Sequence, residues 1–249
     1  MNKLSAIIPT FNEEENIEAA IKSISFVDEI IVVDSFSSDN TVSIAKKLDA
    51  RVFSRQFDDF SSQKNYAIEK ANHKWIILLD ADERVGEALK AEILNLMINP
   101  LSQAYWVYRR NFLLGREIKY SGWQNDKVIR LVNKDYCRYN GKLVHEEITL
   151  PNKVSFLKNK LDHFTYKDFD SFIRKKNKVA QLQAKMLANK NKKFSFFFLI
   201  AKSSYRFWNH YLFRRGYLDG FQGFFIASFY AYTIFTRYIK LWIINNEQK

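Results

Sequence analysis

The chain of 249 residues holds one cysteine, three prolines and seven glycines. A single cysteine, Cys137, excludes an internal disulfide framework and a multi-cysteine zinc site. It makes a reducing compartment the default expectation and reads as a small packed residue, since no base is identifiable near it. With so little proline and glycine, no Pro/Gly/Ser linker is found, so the parts of the chain are expected to pack together. Long apolar runs are also missing. The nearest to one, residues 220–236, is seventeen uncharged residues that include Gln222, Ser228 and Thr233. That falls short of the roughly 20 apolar residues a membrane span needs. The opening MNKLSAIIPTFNEEEN reaches acidic residues by Glu13, which does not read as a signal peptide. No internal repeat is present.

What the chain does have is 47% apolar and 27% charged residues, a composition that excludes a disordered tail. Its length suits one large domain, or one domain with a substantial appendage. The net charge of +12 is unevenly placed. Residues 1–166 carry 23 basic and 23 acidic side chains, whereas residues 167–249 carry 16 basic and 4 acidic. The same last third holds 21 of the 40 aromatic residues. Two parts are therefore expected: a neutral domain over 1–166, and a basic, aromatic-rich helical region over 167–249.

The first hundred residues alternate by period. Leu4–Pro9, Glu29–Asp34, Arg51–Ser54 and Trp75–Asp80 read as strands. A helix is expected to open at Asn12, with Glu15 completing a capping box. Others follow the SFSSDN loop and span Ser61–Asn72. Strands that are apolar throughout and separated by helices imply an α/β fold with a parallel sheet covered on both faces. Ligands of such sheets bind at the carboxyl edge of the strands. Thr10, Asp34 and Asp80 all fall there. Ala104–Leu113, Asp126–Asn133 and Leu143–Leu150 then read as further strands, and three helices are expected over 168–190, 195–214 and 217–244.

Asp80-Ala81-Asp82 ends the most apolar strand. Two carboxylates at a strand terminus can converge on one hard divalent cation such as Mg²⁺ or Mn²⁺, which commonly bridges protein carboxylates to substrate phosphates. The bland alternative is that Asp82 or Glu83 caps the following helix. Alternatives of the same kind exist for Thr10 as a turn residue, Glu13 as a first-turn charge and Lys64 as a solvated side chain.

The D-x-D element does not stand alone. Ile8-Pro9-Thr10-Phe11-Asn12-Glu13, Val32-Val33-Asp34-Ser35 and Gln63-Lys64-Asn65-Tyr66-Ala67 precede it in order. This set resembles the family 2 glycosyltransferases of GT-A fold, closely so over residues 4–84. In that family the second motif usually continues as two aspartates, Gly and Ser/Thr. Here Ser35 and Phe36 replace the second aspartate and the glycine. The resemblance implies that Thr10, Glu13 and Asp34 contact a uridine and that Lys64 lies near the nucleotide. It implies that Asp80 and Asp82 hold Mg²⁺ or Mn²⁺ against the diphosphate of a UDP-sugar.

An inverting transferase also needs a carboxylate to take the acceptor proton. Two candidates lie downstream: Asp126, favoured, and Glu146, its rival. His145 is a candidate metal or phosphate contact, the alternative being a histidine bound to a strand. His163 is a candidate for facing the acceptor, and His73 and His210 read as structural. The run from Trp123 through Arg130-Leu131 to His145-Glu146 resembles a branch that includes lipopolysaccharide inner-core β-1,4-glucosyltransferases, as does Tyr217-Leu218-Asp219-Gly220-Phe221. That branch implies a lipopolysaccharide or lipid-linked glycan acceptor, with glucose as the suggested sugar.

In the last third, aromatic runs at 194–198 and 221–232 are flanked by Lys190, Lys192, Lys193, Arg214, Arg215, Arg237 and Lys240. No nucleic-acid recognition motif is found, and clustered aromatics suit lipid headgroups or a core better than base stacking. The expectation is an anionic membrane surface, with the protein peripheral on the cytoplasmic face of the cell membrane. The alternative is a packing layer that builds a homo-oligomer. Two further readings stand beside the main one. They are a polyprenyl-phosphate sugar transferase and a non-catalytic basic protein that binds membranes or polyanions on a transferase scaffold.

Overall fold

A computed structural model describes residues 1–139, 148–149, 154–166 and 169–247. Glu146 and His145 lie outside the described residues. The chain divides into two compact units, Met1–Arg109 with Asp126–His163, and Arg110–Asn125 with Phe164–Lys249. Residues 110–125, which charge balance alone assigns to the neutral part, thus belong to the second unit.

The elements of the first unit begin with β1 (Leu4–Thr10), α1 (Ile17–Ser23), β2 (Glu29–Asp34), α2 (Thr41–Lys47), β3 (Arg51–Ser54), α3 (Phe60–Lys70) and β4 (Trp75–Leu78). The short β5 (Glu83–Arg84), α4 (Glu87–Leu96) and β6 (Ala104–Leu113) follow. The strands β3, β2, β1 and β4 lie side by side and parallel. They are the most apolar segments of the chain, and Ile7, Ile8, Ile31, Val32, Val33, Ile76 and Leu78 are all fully buried. Burying each such side chain contributes about 1.5–3 kcal/mol. A strand apolar on both faces is stable only when helices cover both, which is what the β-α alternation supplies.

The sheet is mixed. After β7 (Arg116–Ile118), β8 (Lys127–Asn133) pairs antiparallel with β4 on one side and β6 on the other. The pair β9 (Arg138–Tyr139) and β10 (Ile148–Thr149) forms a separate ribbon. β11 (Val154–Phe156) joins β6, and β12 (Leu161–Tyr166) pairs with β5, setting His163 opposite Glu83. This is the α/β, mostly parallel architecture expected of a GT-A transferase.

Two expectations are corrected. The first helix does not open at Asn12. It starts at Ile17, with Asn16 at its cap. Asn12 is left-handed, with φ of 54°. Its N–H donates to Ser37 Oγ, and the Glu13 N–H donates to Thr41 Oγ1. These amides tie down the loop after β2, and the left-handed backbone of Asn12 is not the extended conformation that a helix cap takes. Nor does Glu83 or Asp82 cap a helix, since Gly86 is the cap residue of α4 and Glu83 lies in β5.

The second unit contains β7, paired antiparallel with the end of β6, and α5 (Phe169–Asn189), α6 (Phe196–Trp208) and α7 (Phe221–Glu247). A π-helical turn over Asn209–Phe213 and a 3₁₀ turn over Gly216–Asp219 join α6 to α7. Both α5 and α6 pack on α7. The start of α7 comes so close to the 3₁₀ turn that a Cβ at Gly223 would lie 1.8 Å from the Gly216 carbonyl oxygen, so only glycine fits. Buried Asp219 explains why 110–125 joins this unit. Its carboxylate accepts from Lys119 N, Tyr120 N and Ser121 Oγ. No helix among the described residues is long and apolar enough to cross a membrane.

Candidate active site

The carboxyl ends of β1, β2 and β4 bring the expected residues together. In the β1–β2 register Thr10 stands beside Asp34. Its hydroxyl donates to Asp34 Oδ1 at 3.2 Å, and both residues are buried. Ser37 adds its backbone N–H to Asp34 Oδ2 at 2.8 Å and its hydroxyl to Oδ1. Phe36 occupies the place where the family pattern has glycine. It keeps the left-handed backbone a glycine would take, with φ of 60°, and its ring is exposed. The turn therefore survives the substitution, with local strain.

Glu13 accepts from Asn16 Nδ2 at 2.8 Å, and its charge supports that of Arg84. Lys64, on α3, stands 5.2 Å from the centre of the Tyr139 ring. The helix α3 is set by its cap, Asp59, which accepts from Ser62 N. Such a cap contributes about 1 kcal/mol.

Asp80 lies two residues past β4, in a tight exchange with Glu83. The Asp80 N–H donates to Glu83 Oε2 and the Glu83 N–H donates to the Asp80 carbonyl. Arg130, from β8, donates through Nη2 to both Asp80 Oδ2 and Glu83 Oε1. Burial works against the Asp80 charge, but Arg130 first, then Lys64, Arg109 and His163, more than offset it. The carboxyl is held at about 2. Glu83, fully buried, is pushed the other way, up, because burial outweighs Arg130. Arg130 Nε is buried without a hydrogen-bond partner among the described residues, so its charge is committed through the carboxylate side.

Asp82 is half-buried, and its Oδ2 lies 3.4 Å from His163 Nε2. At that distance the two groups pair with each other, and both are residue types that can ligate a cation. Asp80 adds an oxygen donor two residues away. No group of three His, Cys, Asp or Glu side chains that could hold an ion is gathered among the described residues. A cation here would take its remaining ligands from water and phosphate, as Mg²⁺ commonly does.

Asp126 immediately precedes β8 and is gripped by Arg109. Arg109 Nε donates to Oδ2 at 2.9 Å and Nη2 to Oδ1 at 2.8 Å. Both Asp126 oxygens are thereby engaged by the guanidinium. Sequence reasoning did not single out Glu83, Arg109 or the Arg130 role, and it did not place His163 beside Asp82; the His145 expectation lies outside the described residues. The third acidic residue of D-A-D-E was the available signal for Glu83.

A mostly parallel sheet with acidic strand ends along one edge defines an α/β transferase of the GT-A class. The profile of glycosyl transferase family 2 matches residues 5–151. An uncharacterized glycosyltransferase of Rickettsia typhi is 31% identical over 258 residues, 97% of this chain and 87% of that protein. The lipopolysaccharide core biosynthesis glycosyltransferase LpsC of Rhizobium meliloti is 30% identical over 241 residues, 92% of this chain and 89% of its own length. A GalNAc(5)-diNAcBac-PP-undecaprenol β-1,3-glucosyltransferase of Campylobacter jejuni is 30% identical over 172 residues, 61% of this chain and 54% of that enzyme. Among solved structures, a Mycobacterium tuberculosis glucosyl-3-phosphoglycerate synthase matches with a TM-score of 0.39 and 25% identity, over 44% of each chain. The chain belongs to glycosyl transferase family 2.

Proposed function

We propose that the protein is a metal-dependent, inverting glycosyltransferase. It would move a sugar from a UDP-sugar to a membrane-associated acceptor, a lipopolysaccharide core or another lipid-linked glycan. The observation that carries this reading is the gathering of Thr10, Asp34 and Asp80 at the ends of three adjacent parallel strands. The activities for which the Rhizobium and Campylobacter relatives are named support the acceptor class.

In this reading the buried Asp34 carboxylate, oriented by Thr10 and Ser37, accepts from the uracil N–H and gives base discrimination. Glu13 shapes the loop beside it, and Lys64 places positive charge toward the diphosphate. Asp80 and Asp82 would hold Mg²⁺ or Mn²⁺, with the remaining ligands from water and the diphosphate. Such an ion, when bound, supplies Lewis-acid stabilisation of the leaving diphosphate. Arg130, which meets Asp80 through Oδ2, is also held by Glu83. The Arg109 grip on Asp126 supports a positioning role for that residue, and we assign the proton-accepting role to its rival Glu146.

The test is UDP release by the full chain, screened over nucleotide sugars with a rough lipopolysaccharide or lipid-linked acceptor, with Mn²⁺ or Mg²⁺ and with chelator. Metal-dependent release from one UDP-sugar is expected. Glu146→Gln should lower turnover about 10²–10⁴-fold, the usual contribution of a general base, while Asp126→Asn acts mainly through substrate affinity. Failure of every UDP-sugar to release UDP refutes the donor assignment. Unchanged activity in Asp80→Ala refutes the catalytic reading altogether.

A further inference from the structure

Within the second unit, α6 and α7 each bury one face and leave an apolar face uncovered. On α7 the inward side is Ile226, Ile234, Tyr238 and Leu241. The outward side carries Tyr232, Phe235, Ile239 and Trp242, spaced three or four residues apart and all exposed. Such spacing is one continuous stripe along a helix. On α6 Phe197 and Ile200 are exposed three residues apart, as are Tyr205 and Trp208 one turn further on. The exposures are large, 72% for Phe197, 50% for Trp208, 72% for Phe221 and 49% for Trp242. Soluble surfaces seldom show so many aromatics in continuous stripes, and extended apolar patches of this kind mark an interaction surface.

Charge selects the partner. The α5–α6 connection presents Lys190, Lys192 and Lys193, and the α6–α7 connection presents Arg214 and Arg215, all exposed. Residues 167–249 carry 16 basic against 4 acidic side chains. Two copies meeting through this surface would set like charges against each other. A partner rich in anionic groups, with apolar depth for aromatic rings, matches both features. Neither helix is long and apolar enough to cross a bilayer, so the fit is to its surface.

We propose that the exposed stripes of α6 and α7 form an in-plane docking face for an anionic lipid bilayer. The aromatic rings enter the headgroup region, and the lysines and arginines of the two connecting segments contact acidic headgroups. This goes beyond the transferase reading and is independent of donor, metal and base.

The experiment is flotation of the full-length protein with vesicles of phosphatidylcholine alone or mixed with phosphatidylglycerol. Binding is expected to the mixed vesicles only and to weaken with salt. In Lys190→Gln/Lys192→Gln/Lys193→Gln, each removed charge should weaken binding about five-fold. Phe197→Ser/Trp242→Ser should weaken it further at equal charge, with an unchanged far-UV circular dichroism spectrum because both residues are exposed. Tryptophan emission should shift to the blue on adding mixed vesicles, and the shift should shrink in Trp208→Phe/Trp242→Phe. Absence of binding to mixed vesicles at low salt overturns the proposal, as does binding indifferent to Phe197→Ser/Trp242→Ser. A stable dimer that those same substitutions dissolve overturns it in favour of a second copy.

Discussion

Replacing Arg130 with methionine tests whether the acidic cluster is held by one cation. Arg130 is buried and donates to Asp80 and to fully buried Glu83. Methionine preserves much of the volume, so the change removes charge more than packing. Arg109 remains, but its contact with Glu83 is long, at 3.4 Å. Asp80 is partly exposed and can recruit water. Glu83 cannot, and takes up a proton sooner than stay charged and unpaired. Burial already pushes the Glu83 carboxyl up, and losing Arg130 pushes it further. Breaking a buried ion pair from one side typically costs roughly 3–5 kcal/mol. Urea unfolding at pH 7 measures it. Glu83→Gln added to Arg130→Met should return at least about 1 kcal/mol, because it removes the stranded charge. An Arg130→Met protein within about 1 kcal/mol of the parent would refute the reasoning, and so would a double variant less stable than the single.

Three further outcomes are expected. Phe36→Gly should raise stability by about 1 kcal/mol in the same urea assay, by relieving a left-handed non-glycine residue whose exposed ring contributes little to the core; a loss of stability contradicts the strain. Burial lowers His210 from 6.5 to about 4, so the unfolded chain takes up a proton between those values that the folded one refuses. Its contribution is complete above pH 6.5 and is lost as pH falls toward 4, about 2 kcal/mol between pH 7 and pH 5. In His210→Asn, which can still donate to the Ser121 carbonyl in place of Nδ1, that slope should flatten. Asp34→Asn should weaken UDP binding by about 10–100-fold in calorimetry, the worth of a charged hydrogen bond, and unaltered affinity would remove Asp34 from the base-binding role.

The strands were legible because an apolar run of four to six residues between polar loops has few other uses. β2 and β6 begin and end where the sequence reading put them. Thr10 and Asp34 were legible as a pair because parallel neighbours place their carboxyl ends together. The opening of α1 was not, since Asn12 satisfies the local capping pattern but is turned left-handed, its amide held by Ser37, twenty-five residues away. The helical third was legible in extent, while the membership of 110–125 was not. That depends on Asp219, about a hundred residues further on.

By itself, then, the sequence determined the alternation of buried strands and helices, the acidic strand ends and the concentration of basic and aromatic residues in the last third. Each of these is a property of neighbours in the chain. Only the tertiary structure decided which charges share a partner: Arg130 between Asp80 and Glu83, Arg109 on Asp126, and His163 beside Asp82. Those contacts are made by antiparallel pairings between distant segments, and a shift of one residue in register would turn each of these side chains to the opposite face of its sheet.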